Sequence, residues 1–237
     1  KISAGGRDAF YRGALADTIV AEMSAQGGFI TRQDLEAYKA IERVPVKGTY
    51  RGYTIYSAPP PVAGVSMIEM LQILENFSVA KYPAQSATRI HVAAEAMKRG
   101  DADMRAFVGD PGFVTVPVDW LLSKPYAKSR ASEIKLDAIS ATIAPGEPSR
   151  EPASTTSLSV VDKDGNMVAL TQTISDYFGS TIVVAGTGIL LNNEMKNFSR
   201  SGPNVMEPGK RMRTTIAPSI MLTPAGKTFA TIGTPGA

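Results

Sequence analysis

Cysteine is absent from the 237 residues. That absence excludes disulfides, thiolate metal sites and a cysteine nucleophile. Histidine occurs once, as His91. A multi-histidine metal site is therefore excluded, and a Ser-His-Asp triad could draw only on that residue. On a helix, His91 reads as packed or solvated. No apolar run approaches the roughly 20 residues of a membrane-spanning helix. Charge of one sign is scarce as well: 25 Lys and Arg against 22 Asp and Glu leave +3. The excess is not clustered, so there is no nucleic-acid footprint. What remains for nucleophilic chemistry is Ser, Thr, Lys or a carboxylate.

Apolar side chains make up 43% of the chain, enough for a sizeable core. The length suits one large domain or two small ones. Lys1 opens without Met and without the apolar run of a signal peptide. The last residues follow closely on a strand-like stretch, Phe229–Ile232. Both ends suggest a piece of a longer protein.

Residues 7–26 carry Phe10, Leu15, Ile19, Val20 and Met23 at helical spacing, with Gly27-Gly28 as the stop. Thr31-Arg-Gln-Asp34 reads as a capping box that opens a short helix through Tyr38. Val44–Tyr50 and Tyr53–Ser57 read as strands joined at Arg51-Gly52. Pro59-Pro60-Pro61 breaks the chain as a structural turn. Met67, Met70, Leu71 and Leu74 then follow the spacing of a packed helix, with Met67 and Met70 in the core. A further helix over 87–99 is expected to pack through Ile90, Val92, Ala93 and Met97. Short helices fill 103–140. Ala144–Ala153 holds three prolines in ten residues and reads as an exposed linker. Beyond it the pattern is β-rich. Helices first and strands second imply an α+β fold with helices layered on a sheet.

One hairpin can be registered from the sequence. Residues 155–162 and 166–173 flank Lys163-Asp164-Gly165, and Asp-Gly between alternating runs is a strong turn signal. A three-residue loop places Gly165 in the left-handed region, and paired positions then sum to 328. Leu158 faces Leu170 and Val160 faces Val168, an expected inner surface. On the other surface Thr155 faces Thr173, Ser157 faces Thr171 and Ser159 faces Ala169. A two-residue loop would split the apolar set between faces, which the register rule disfavours. Taken alone, the hydroxyl strip is the solvent face of an ordinary hairpin.

Ser154-Thr-Thr-Ser-Leu-Ser-Val-Val-Asp-Lys-Asp-Gly-Asn166 resembles the γ-glutamyltranspeptidase family. The resemblance continues through Leu170-Thr-Gln-Thr173, Phe178-Gly179, Gly186–Met195 and Phe198-Ser199. Gly28–Tyr38, Gly48–Tyr53, Ser57–Pro61, Glu95–Lys98 and Phe107–Pro111 fit too, so it covers nearly the whole chain in order. It implies the αββα sandwich of N-terminal-nucleophile hydrolases, an α+β fold incomplete at both ends here. It also implies a precursor that cleaves itself between Ser154 and Thr155. Residues 1–154 would then be the C-terminal part of a large subunit and 155–237 the start of a small one, together parts of one catalytic domain.

By the same resemblance Thr155 becomes the nucleophile. A threonine hydroxyl needs a base, and the α-amine of the same residue, titrating near 8, can serve without any histidine. Thr173 matches the threonine that hydrogen-bonds the nucleophile, a position the register independently sets opposite Thr155. Ser175 and Glu194 match positions that bind the donor's α-ammonium group, and Asn197 matches a position that is usually Asp. Thr214 and Thr215 match a serine pair on the α-carboxylate. Gly233–Ala237 matches a Gly-Ser-Pro-Gly-Gly loop, in which the N–H groups of Gly236 and Ala237 would form an oxyanion hole. No metal or organic cofactor is implied. The implied partners are a γ-glutamyl donor and an amino-acid, peptide or water acceptor. A periplasmic or secreted location is compatible with the lack of cysteine.

Several positions depart from the family pattern. Asn197 lacks a charge, Ser175 is shorter than the usual Asn, and Ser157 stands where many members carry an aromatic residue or histidine. The family's arginine for the α-carboxylate lies upstream of this chain. Read singly, Thr173 is a strand threonine, Glu194 a solvated loop charge and Thr214-Thr215 a strand start. The alternatives are therefore a same-fold amidase, such as a glutaryl acylase or a poly-γ-glutamate-processing enzyme, and a non-catalytic family member.

Overall fold

The computed structural model describes residues 2–141, 143 and 155–234. Helices α1 (Ile2–Gly5), α2 (Asp8–Tyr11), α3 (Ala14–Ala25) and α4 (Arg32–Ala37) come first. Strands β1 (Val46–Tyr50) and β2 (Tyr53–Ser57) follow, then helices α5 (Gly64–Leu74), α6 (Ala87–Phe107), α7 (Val118–Leu121) and α8 (Lys124–Ser132). The rest is β3 (Thr155–Val161), β4 (Met167–Thr173), β5 (Val183–Val184), β6 (Ile189–Leu190), β7 (Ser219–Leu222) and β8 (Thr228–Ile232). The linker read at Ala144–Ala153 lies outside the described residues.

Local signals act where they were read. Thr31 and Asp34 form the reciprocal capping box: the Thr31 hydroxyl accepts from Asp34 N–H at 3.2 Å, and Asp34 Oδ2 accepts from Thr31 N–H at 2.8 Å. The segment 7–26 is two helices rather than one, broken at Arg12-Gly13. Gly13 is the extended N-cap of α3, and Ile19 is its buried anchor.

The main sheet is antiparallel, in the order β1-β2-β7-β8. Ile55 pairs with Gly48 on one side and Met221 on the other, so these three share a face. That face meets α5: Val46, Ile55, Ala63, Val65, Ile68, Met104, Val108 and Leu121 form one buried cluster. Each such large side chain contributes about 1.5–3 kcal/mol by leaving water. On the opposite face, Thr231 Oγ1 donates to the Val168 carbonyl of β4 at 3.1 Å. The β3–β4 hairpin therefore lies against the sheet on the side away from the helices. The order of layers is helix, sheet, hairpin.

The faces of two helices differ from expectation. α5 buries Val65, Ile68, Glu69, Gln72 and Ile73, while Met67, Met70, Leu71 and Leu74 are half-buried beside them. α6 runs to Phe107 and buries Val92, Glu95, Ala96, Arg99, Gly100, Ala102, Asp103 and Met104. Ile90 and Met97, expected inside, are exposed. Charged residues take the interior there because each finds a partner. Arg99 donates to the Glu95 carboxylate at 2.8 Å and to Ser140 Oγ at 3.2 Å, and Arg130 donates to both Asp103 oxygens at 2.9 and 3.2 Å. His91 is half-buried, with Nε2 2.8 Å from the Lys135 carbonyl.

The hairpin has the expected register, Thr155 with Thr173 through Val161 with Met167. Gly165 sits at a φ of 84°, and Asp162 N–H donates to the Asn166 carbonyl at 3.1 Å across the three-residue loop. Its orientation corrects the expectation. Leu158, Val160, Val168 and Leu170 are 45–53% exposed. The hydroxyl strip faces the sheet instead, because β8 and the chain after it take hydrogen bonds and close contacts on that side.

Candidate active site

Thr155 begins β3, half-buried, directly opposite Thr173 at the end of β4. Two residues along, Ser157 Oγ lies 3.2 Å from Thr171 Oγ1. The chain leaving β8 passes over this strip. A Cβ on Gly233 would sit 2.0 Å from Ser157 Oγ, so a larger residue there would force the Ser157 hydroxyl to move. The start of the Gly-Thr-Pro-Gly stretch is thus pressed onto the hydroxyls. Gly236 and Ala237 lie outside the described residues.

Past β4 the backbone turns sharply. Ser175, Phe178 and Thr181 all hold a left-handed φ, of 73°, 61° and 63°. Each costs on the order of 1 kcal/mol, and such strain clusters near functional sites. Ser175 N–H donates to Thr173 Oγ1 at 2.9 Å, which fixes the Thr173 rotamer beside Thr155. Ser175 itself is buried.

The turn Glu194–Asn197 is stitched to this segment. Asn193 N–H donates to the Ile174 carbonyl at 3.3 Å, and Asn193 Oδ1 accepts from Asp176 N–H at 3.0 Å. Lys196 pairs with Asp176 and holds that carboxyl below its usual range. Glu194 is 7% exposed, and its Oε2 accepts from Asn197 Nδ2 at 2.7 Å. A buried carboxylate next to a neutral amide suits a cationic group.

Thr214 is buried and Thr215 exposed. Thr214 N–H donates to the Pro61 carbonyl at 3.2 Å, so the triple-proline turn is a backbone partner of this segment. The fold therefore brings Thr155, Thr173 and Ser175 together, pairs Glu194 with Asn197, and seats Thr214-Thr215 on the Pro61 turn.

Three residues went unread in the sequence. Asn193 and Asp176 tie the Ser175 segment to the Glu194 turn. Asn204, wholly buried, joins Asn197 to residue 213. Asn192-Asn193 was a visible signal, since adjacent Asn residues favour side-chain-to-backbone turns. Asn204 carried none beyond a Pro-Asn turn. A cavity of about 530 Å³ beside Arg99, Arg130, Glu133 and Ser140 lies in the helical layer, where Arg99 and Arg130 both pair with Glu133.

A helix layer, a sheet and a hairpin stacked in that order make an α+β fold of the N-terminal-nucleophile hydrolase class. The chain belongs to the γ-glutamyltranspeptidase family, whose model matches residues 1–237. It is 44% identical over 251 residues to the glutathione hydrolase proenzyme of Escherichia coli, covering 99% of this chain and 43% of that protein. It is 39% identical over 239 residues to the acylase ACY 1 proenzyme of a Pseudomonas species, covering all of this chain and 42% of that one. Among solved structures, a cephalosporin acylase from Bacillus halodurans superposes with a TM-score of 0.80 at 34% identity, over 97% of this chain and 41% of its own. The chain thus spans less than half the length of these relatives.

Proposed function

We propose that this chain carries the nucleophile half of a γ-glutamyl-transferring or γ-glutamyl-hydrolysing enzyme, released by self-cleavage before Thr155. The observation that carries the reading is the pairing of Thr155 with Thr173 at the open end of β3–β4, with Thr173 oriented by Ser175 N–H. The α-amine of Thr155 takes the Oγ proton, and Oγ attacks the γ-carbonyl of glutathione or a related amide. The N–H groups of Gly236 and Ala237 receive the developing oxyanion. The ammonium of Thr155 returns the proton to the leaving amine. Water or an acceptor amino acid or peptide then resolves the acyl-enzyme. Glu194 and Ser175 take the donor's α-ammonium, and Thr214 and Thr215 its α-carboxylate. The two subunits come from one precursor, in a periplasmic or secreted location. No helix among the described residues is long and apolar enough to cross a membrane.

Incubating the full-length protein at neutral pH is expected to give two fragments by intact mass, the second beginning at Thr155. Thr155→Ala should remain one chain and lose turnover. A wild-type protein that stays a single chain would sink the reading.

A second reading, an acylase for glutaryl-type donors, is favoured by one observation. Asn197 supplies a neutral amide where the family usually has Asp, and that amide donates to Glu194 at 2.7 Å.

A further inference from the structure

Asn204 has the lowest exposure of any polar side chain near the site, at 0%. Its amide is used on both ends. Nδ2 donates to the Asn197 carbonyl at 2.7 Å and to Ser199 Oγ at 3.3 Å. Oδ1 accepts from Arg213 N–H at 2.7 Å. A donor thus faces one end of the side chain and acceptors face the other. Only a carboxamide of this length meets both demands; Asp lacks the donor, and a longer Gln would have to fold back.

The two anchors are not equivalent. Arg213 is rooted in the helical layer: its Nη1 donates to the Met104 and Arg105 carbonyls at 3.1 and 3.3 Å, at the C-terminal end of α6. Asn197 closes the exposed turn that carries Glu194. The backbone of Asn204 reinforces the link, since its carbonyl accepts from Ser199 N–H at 2.9 Å. Pro203 is seated against Gly109, where any Cβ would come within 2.5 Å of the Pro203 carbonyl. The turn with Glu194 is therefore referenced to the next residue after Arg213, which is Thr214.

We propose that Asn204 is a positioning residue for the donor site, its buried amide setting the spacing between the Glu194–Asn197 turn and the Thr214–Thr215 segment. This rests on the donor-site reading given above. The α-ammonium and α-carboxylate of an amino acid sit on one carbon, so the groups that bind them must hold a fixed separation. A shift of about 1 Å in either would weaken binding of that end, while the acyl carbonyl at Thr155 would be untouched. Asn204 thereby governs selectivity for donors with an amino-acid end rather than the chemical step.

The test is made in the full-length protein. Asn204→Asp keeps the acceptor for Arg213 N–H and loses the donor to Asn197. Asn204→Ser removes the amide without burying a charge. Both are read with γ-glutamyl p-nitroanilide and with butyryl p-nitroanilide, which lacks both α-groups. KM for the γ-glutamyl donor is expected to rise about tenfold with kcat little changed. Turnover of the butyryl donor and the rate of self-cleavage should match wild type. Parallel losses on both donors, or slowed self-cleavage, would show a merely structural role and overturn the proposal. Unchanged KM in both variants, with wild type active on the γ-glutamyl donor, would overturn the role of Asn204 alone. Wild-type protein inert toward that donor would overturn the donor-site reading and the proposal together.

Discussion

The helical layer buries charges and, Glu69 apart, pairs them, whereas the segment around Thr155 buries amides and hydroxyls. In the first, Asp103 is 3% exposed and accepts from Tyr126 Oη at 2.8 Å and Arg130 Nε at 2.9 Å. Glu95 and Arg99 lie one turn apart on α6, each almost wholly buried. In the second, Ser157 meets Thr171, Ser175 meets Thr173, and Asn204 spans two loops. Buried ion pairs are costly to break, because the survivor is left uncompensated in a low dielectric. Neutral hydrogen bonds are weaker but strongly directional. The helices can thus serve as a stiff base, while the site is adjusted by contacts that change geometry more than stability. Glu194 is the exception in the site, a buried carboxylate that accepts from the Asn197 amide, and it is the residue proposed above for a cationic ligand.

Removing Arg130 should break the comparison most strongly. Arg130→Met leaves Asp103 buried beside Glu69 with no cation. Destabilisation of about 3–5 kcal/mol is expected from the denaturant midpoint. A loss under about 1 kcal/mol would mean that the helical layer does not depend on its buried pairs.

Glu69 gives a smaller, pH-dependent effect. Its side chain is fully buried and both oxygens lack a hydrogen-bond partner. Burial, and then the Asp103 carboxylate, push it up from 4.5 to about 10, against the pull of Arg130. The folded protein keeps a proton that the unfolded chain releases near 4.5. Stability is therefore full below that value and falls as pH rises toward 10. Glu69→Gln should flatten this slope and raise the unfolding midpoint at about pH 9, with little change near pH 4. Thermal melts across that range check it, and an unchanged slope would show that Glu69 ionises freely in the fold.

Asn197→Asp should have the smallest effect and sharpen the contrast. Adding charge beside Glu194 should raise the ratio of γ-glutamyl to glutaryl anilide turnover roughly tenfold, and should lower the unfolding midpoint at neutral pH, because the amide that donates to buried Glu194 becomes a second carboxylate. Equal ratios in wild type and variant would remove the case for glutaryl-type donors.

Much of the local structure was legible. The capping box at Thr31 depends on contacts three residues apart and the hairpin register on strands joined by one tight turn, and both are present. The family resemblance singled out Thr155, Thr173, Ser175, Glu194 and Thr214 as the proposed site, and the register supplied one geometric link between the first two. The rest was hidden by distance along the chain. Ile90 and Met97 looked like an apolar face, but α5 and α8 present carboxylates and arginine to α6, so its charged side turns inward. The hairpin's leucines and valines looked like the inside, but β8 approaches from the hydroxyl side. Asn204 went unread because its partners, residues 197 and 213, lie on different loops.

By itself the sequence determined local pieces: the Thr31 cap, the strands on either side of Arg51-Gly52 and the β3–β4 register about its Asp-Gly turn, whose energies are set by neighbours in the chain. Only the tertiary structure decided which face of each element is covered. That choice is made by segments far apart in sequence, each burying the groups its partner can satisfy.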